Sequence, residues 1–322
     1  MRKHESNPLD RDYLANGLAA LSRAHFANTM AGHLGAAVVA GYFLGEQQPD
    51  LDPFIFTAIG SELDRIMRGE SVFSPGENSG ITVAEMFAPP EAEIPRPDLI
   101  DTIAQALSQN IDDPHESGHN VIFASIAIRA LRDHPEYALP TIINGIQGLI
   151  RGFNKTTPGS GYYGPQKGRI DGMEVQLKPD PQFPPYVDLS EMVKSVLDVL
   201  ILRAAEKRIG YGGLVHIINH SAALCELANY GYRQLAIEGL AGHHKHVRLW
   251  LSLPNVEDEQ GPETQVEHDP RTSAYWAPGN LREGPAKLTH RIKVLYGFYT
   301  MIEGFSEAST IKQAEECLRF LI

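Results

Sequence analysis

Only two cysteines occur in 322 residues, Cys225 and Cys317, which excludes a disulfide framework and a thiolate metal cage. Basic residues are also few: 28 Lys and Arg stand against 40 Asp and Glu, a formal net charge of -12. Nucleic acid and anionic membrane surfaces both need clustered Lys and Arg, so neither is an expected partner. No apolar run is long enough to span a bilayer, and no apolar segment of secretory type follows the polar start, Met1 to Arg11. A cytoplasmic protein is expected. Alternating apolar and polar runs with hairpin turns are missing, so no strand is expected. Gly-x-Ser-x-Gly, His-Glu-x-x-His and dinucleotide fingerprints are absent, and Gly210-Tyr211-Gly212-Gly213 lacks the strand-turn-helix setting of a phosphate loop.

What is present is helical periodicity. Apolar stripes predict helices over Tyr13–Ser22, Asn28–Leu44, Asp52–Met67, Asp98–Ser108, a run opened by His119, Tyr137–Gly152, Asp188–Ile209, Leu214–Asn229, Tyr232–Leu251, Lys287–Phe305 and Ser309–Leu321. The Asn28–Leu44 helix is apolar almost all round, the mark of a buried helix. Between Arg68 and Arg96 only Thr82–Phe87 has helical character. Asn154–Tyr186 and Pro254–Glu283 are long Gly- or Pro-containing loops, and loops of that length in a compact domain are usually functional. The expected class is all-α, a single domain over residues 1–322. Its helices pair in a bundle or α/α assembly.

The chain has 13 histidines, and most fall in apolar segments. Four occupy matching places, near the beginning of an apolar helix or inside one: His33, His119, His216 and His290. Imidazole is the commonest neutral side-chain ligand, and facing helices in a bundle can bring such rings together. An isolated histidine on such a face is more often a hydrogen-bonded core residue. His25 and His220 compete for the same role, and His220 shares a face with His216, four residues before it. His243-His244-Lys245-His246 spreads around a helix and reads as a solvated or supporting face. Asp112-Asp113-Pro114-His115-Glu116 reads as a structural helix-entry turn.

His290 and Lys293 sit three residues apart in an otherwise apolar run, so they share a helix face. A lysine there either snorkels to the surface, pairs with an acid, or is neutral. A neutral amine can take up carbon dioxide as a carbamate. That group would stand in for the carboxylate missing from a two-His-one-carboxylate iron site. Lys293 and His220 are the candidate catalytic groups.

These same residues carry a resemblance to the questin oxidase-like family. His33 followed by an apolar helix to Leu44-Gly45 is similar to the family's early segment. His119 with Ala127, Ala130 and Leu131 is similar to its middle element, His216 ahead of Ala223-Leu224 to a third, and His290-Arg291-Ile292-Lys293 to its His-x-Ile-Lys element. The resemblance is scattered over most of the chain and specific at these short stretches. Asn28-Thr29-Met30-Ala31-Gly32 stands where the family has an Asn-His entry, and the chain is shorter than the fungal enzymes. The resemblance implies oxygen-dependent ring cleavage or oxygen insertion on an anthraquinone-type polyketide. It also implies Fe(2+) held by His33, His119, His216, His290 and a carboxylated Lys293, with NADPH as a possible reductant. The two loops would cap the pocket, with Tyr162, Tyr163 and Trp276 against a flat aromatic substrate. Two rival readings stand beside it: a metal-free helical cyclase or lyase using histidine acid/base chemistry, and a helical ligand-binding protein with no chemistry.

Overall fold

Asp10 opens the first helix, its side chain accepting from the Asp12 backbone N–H and so satisfying one of the end donors. The computed structural model describes residues 7–322. In order come α1 (Arg11–Arg23), α2 (Gly32–Gln47), α3 (Pro53–Met67), α4 (Val83–Phe87), α5 (Asp101–Leu107), α6 (His119–Asp133) and α7 (Pro140–Gly152). A short antiparallel hairpin, β1 (Ser160–Tyr162) and β2 (Arg169–Asp171), follows. Then come α8 (Leu189–Arg203), α9 (Gly213–Asn229), α10 (Arg233–Glu238), α11 (Leu240–Leu251), α12 (Glu257–Gln260), α13 (Ser273–Trp276), α14 (Lys287–Ile302) and α15 (Ala308–Leu318). The protein is all-α apart from that hairpin. Among the described residues no helix is long and apolar enough to cross a membrane.

Helix α2 is the axis of the molecule. All but its last two residues are buried, as its all-round apolar pattern requires. It packs on α1, α14, α3 and α6, while α9 packs on α14 and α6. The crossing of α1 and α2 is close: a Cβ on Gly35 would lie 2.4 Å from the Leu21 nitrogen. Side chains larger than glycine cannot sit there. Nearly all the buried apolar residues among those described form one cluster that runs from Leu9 to Ile322.

Four sequence expectations need correction. The hairpin lies inside the expected 154–186 loop, and its three-residue strands are too short to show a period-2 pattern. The Asp188–Ile209 helix ends at Arg203, and beyond it Arg208 donates to the Leu251 and Leu253 carbonyls. The Tyr232–Leu251 helix breaks at Gly239, where a Cβ would lie 2.5 Å from Leu224. The Pro254–Glu283 loop carries the single turns α12 and α13.

Candidate metal centre

Helices α2, α6, α9 and α14 bring their first turns together. His33 is the second residue of α2, His119 the first of α6, His216 the fourth of α9 and His290 the fourth of α14. His33, His119 and His216 are 1%, 2% and 4% exposed, and His290 is partly exposed. The Nε2 atoms of His33 and His119 are 2.9 Å apart, and those of His119 and His216 are 3.1 Å apart. One ring nitrogen from each of His33, His216 and His290 lies within 4.8 Å of the other two. His290 Nε2 is buried and has no hydrogen-bond partner.

The far side of three of these rings settles their tautomers. His33 Nδ1 lies 2.9 Å from the Met30 carbonyl, His216 Nδ1 lies 2.6 Å from the Gly212 carbonyl, and His119 Nδ1 meets the Glu116 carbonyl. A carbonyl oxygen only accepts, so each Nδ1 carries the hydrogen and donates it. In a neutral ring, each Nε2 is then a bare lone pair. Three such lone pairs face one another at 2.9 and 3.1 Å with no hydrogen between them. That arrangement is repulsive unless a positive centre lies among them.

The entry turns that supply these carbonyls are strained. Glu116, Ser117 and Gly118 have φ of 44°, 64° and 84°, and Tyr211, Gly212 and Gly213 have φ of 47°, 68° and 67°. Runs of left-handed residues that include non-glycines cost energy and are characteristic of functional sites. Here they aim the Glu116 and Gly212 carbonyls back at the rings.

Burial depresses the histidines first, and Lys293 and the neighbouring rings add to it. His33, His119 and His290 fall well below the usual histidine value, and His216 falls to about 3. Four helix N-termini, each with its partial positive charge, work in the same direction. Lys293 lies one turn deeper on α14 and is 3% exposed. Burial alone pushes it well below the usual lysine value, and no acidic group counters the shift. Lys293 therefore does not snorkel to the surface, and no ion pair joins it to an acid among the described residues: its side chain is inside, beside four histidines.

Lys293 also lines a small cavity of about 20 Å³, together with Asn219, Glu226, Ser125 and Tyr296. The Asn219 Nδ2 is a buried donor with no partner. Glu226 accepts from Arg129 Nη1 at 3.1 Å and from the Tyr296 hydroxyl. The Arg129 guanidinium lies 3.9 Å over the Phe43 ring. Beyond this bridge opens a cleft of about 980 Å³, lined by Arg129, Glu226, Arg132, Tyr230 and Met301 among others. Arg129, Glu226 and Tyr296 carry no motif. Glu226 is, however, the one acidic residue of α9, and that was the available signal.

His220 belongs elsewhere. Its Nδ1 lies 3.3 Å from His246 Nδ1, and His246 Nε2 donates to the Tyr211 carbonyl at 2.8 Å. His243 Nε2 donates to the Ile217 carbonyl at 3.2 Å. Of the expected solvated or supporting His243–His246 face, the solvated alternative does not hold for His243 and His246, which are fully buried. Both pack on His220, behind the entry turns. His216, not His220, joins the centre on α9. His25 also stays apart, its Nδ1 on the Ser22 carbonyl. His115, as expected of a structural turn, bonds the Thr156 carbonyl.

The expected substrate contacts are not at the centre. The Tyr162 hydroxyl donates to Glu259, Tyr163 bonds Ser252 at 2.7 Å, and buried Trp276 donates to the Pro270 carbonyl. None of the three lines either cavity. The aromatic rings at the centre are Phe73 and Phe123, the first from an irregular segment and the second from α6. Compared with known proteins, the chain matches no family model, no curated protein and no solved structure.

Proposed function

We propose that the chain is a questin oxidase-like, non-heme iron oxygenase of the cytoplasm. His33, His119, His216 and His290 would hold ferrous iron, with Lys293 as a carboxylated fifth ligand. The observation that carries this reading is the set of opposed Nε2 lone pairs, each fixed by an Nδ1–H bond to a carbonyl. Histidine ligands to metals are characteristically oriented through the ring nitrogen that does not bind.

The donor set fits the group. The separations of 2.9 and 3.1 Å bring the lone pairs near enough for one cation to be shared between them, and imidazole nitrogens suit ferrous iron. Four neutral imidazoles under four positive helix ends would hold a bare dication poorly, so an anion is needed. Among the described residues Lys293 is the amine that acts on all four rings; burial holds it well below the usual lysine value, and a carbamate on it would supply that anion.

Iron bound there would supply oxygen activation for insertion into a quinone or phenol ring beside its carbonyl or hydroxyl carbon. The chain's own residues do the rest. The entry-turn carbonyls hold the imidazoles in one tautomer, and Phe123 and Phe73 keep bulk water off the rings. The Glu226–Arg129–Tyr296 bridge closes the inner end. NADPH as a reductant remains part of the proposal.

The rivals are weaker on the same observations. A metal-free cyclase or lyase needs a histidine that titrates near neutrality, and the histidines of this cluster are held neutral far below it. A ligand-binding protein without chemistry has no use for four converging lone pairs and an unpaired buried lysine. Anaerobic reconstitution with ferrous iron and hydroxyquinones, followed by oxygen uptake, tests the reading. Consumption that is lost in His119→Gln supports it, and a lack of metal uptake refutes it.

A further inference from the structure

Phe73 is the ring from the surface segment between α3 and α4 that reaches the centre. It stacks on His33 at 3.7 Å between centroids with 14° between planes, and meets His290 at 5.6 Å near edge-on. Phe123 flanks His33 edge-on at 5.6 Å, but it is a fully buried residue of α6 and part of the helical core. Phe73 is only half-buried, and its neighbour Val72 is 58% exposed. Among the described residues, the hydrogen bonds of Ser71–Ser74 are all local, to Gly69 and Ser71. Moving Phe73 outward therefore breaks no helix.

The large cleft does not open onto the centre, since neither Lys293 nor any of the four histidines lines it. Glu226 lies ten residues beyond His216 on α9, about 15 Å along the helix. The large cleft therefore stops that far away. Between them stand the Arg129–Glu226–Tyr296 bridge and a cavity of about 20 Å³, room for about one water. His290 is the one cluster histidine with partial exposure, and Phe73 covers it.

We infer that Phe73 is a plug occupying the aromatic subsite of the centre. A planar, electron-rich ring enters by displacing it and stacks on the face of His33, and the large cleft is not the substrate site. This rests on the functional reading above for the chemistry at the centre, but the slot itself does not depend on metal. An imidazole that gives its Nε2 lone pair to a cation has an electron-poor face, which favours a phenolic or quinol ring over it. The inference replaces Tyr162, Tyr163 and Trp276 with a subsite formed by the His33 face and the space Phe73 vacates.

Two readouts on the full chain test it. The first is removal of bound ferrous or cobaltous ion by EDTA, timed in wild type, Phe73→Ala, Phe73→Leu, Val72→Ala and, at an exposed residue of the cleft wall, Arg233→Ala. The second is binding of 2-naphthol-6-sulfonate, an electron-rich phenol, by equilibrium dialysis, with and without metal. We expect chelation to speed by about tenfold or more in Phe73→Ala, the equivalent of ~1.4 kcal/mol. Phe73→Leu falls between, and Val72→Ala and Arg233→Ala behave as wild type. The naphthol binds Phe73→Ala more tightly than wild type in both metal states. Unchanged chelation and unchanged naphthol binding in Phe73→Ala, or faster chelation in Arg233→Ala instead, overturn the inference. If the wild type takes up no metal, the functional reading fails on its own, and the naphthol arm still decides whether the slot exists.

Discussion

At the residue scale the centre is built from nitrogens that face away from it. Because Met30, Glu116 and Gly212 carbonyls fix the Nδ1 hydrogens, each ring is neutral and its Nε2 is free. The consequence is a pH dependence. His216 and His243 are pushed to about 3 and His246 to about 4, mainly by burial. Their folded-state values lie below the unfolded value, so the unfolded chain binds more protons through that window. Stability is fully present above about pH 6.5 and falls as the pH drops toward 3, by ~1.4 kcal/mol per pH unit for each such group. Urea midpoints of chelator-treated protein should therefore fall steeply between pH 7 and pH 5. A flat profile would mean that these histidines are not buried neutral. Lys293→Met tests the neighbouring position: removing a desolvated amine should leave the metal-free midpoint unchanged or higher, while metal affinity drops at least about tenfold.

The four ring positions were legible in the sequence because a histidine at the start of an apolar helix is unusual and here it recurs. The choice between His216 and His220 was not legible. Both lie on one face of α9, and only the packing of His243 and His246 against His220 separates them. Phe73 was hidden because nothing marks an aromatic residue in a Gly/Pro/Ser segment as a ring partner.

At the scale of elements, the entry turns and the core bridge can each be broken by one change. Gly118 has φ of 84°, and a Cβ there would lie 2.6 Å from His220 Nδ1. Gly118→Ala should cost roughly 1–3 kcal/mol and weaken metal binding with it, since the turn holds the His119 acceptor. Denaturant melts and metal titration of one preparation read both. Arg129 and Glu226 are 4% and 3% exposed. Glu226→Ala leaves a buried guanidinium beside Tyr296 and should cost about 3–5 kcal/mol, while the double change Arg129→Met with Glu226→Leu should recover much of that. A double change as damaging as the single one would show that the pair does more than neutralise itself. Helix ends were less legible than helices. Gly239 stands where Leu224 packs too closely for a side chain, and Arg208, beyond the end of α8, finds its acceptors on the Leu251 and Leu253 carbonyls. Both are tertiary contacts that no local pattern carries.

At the scale of the whole molecule, four helices point their positive ends at one buried point. The open cleft sits at the far end of all four. The all-α class was legible from the 3.6-residue stripes, and the hairpin was too short to announce itself. The converging ends are what a fold-level reading could not supply, because periodicity says which face of a helix is buried and nothing of which ends meet. The most direct measurement is the metal content of untagged protein after anaerobic ferrous reconstitution, in wild type and in a His33→Ala, His216→Ala double variant. The account predicts about one iron per chain in the wild type and little or none in the variant. Folded wild-type protein with no bound transition metal, or a variant that binds iron as well as the wild type, would contradict it.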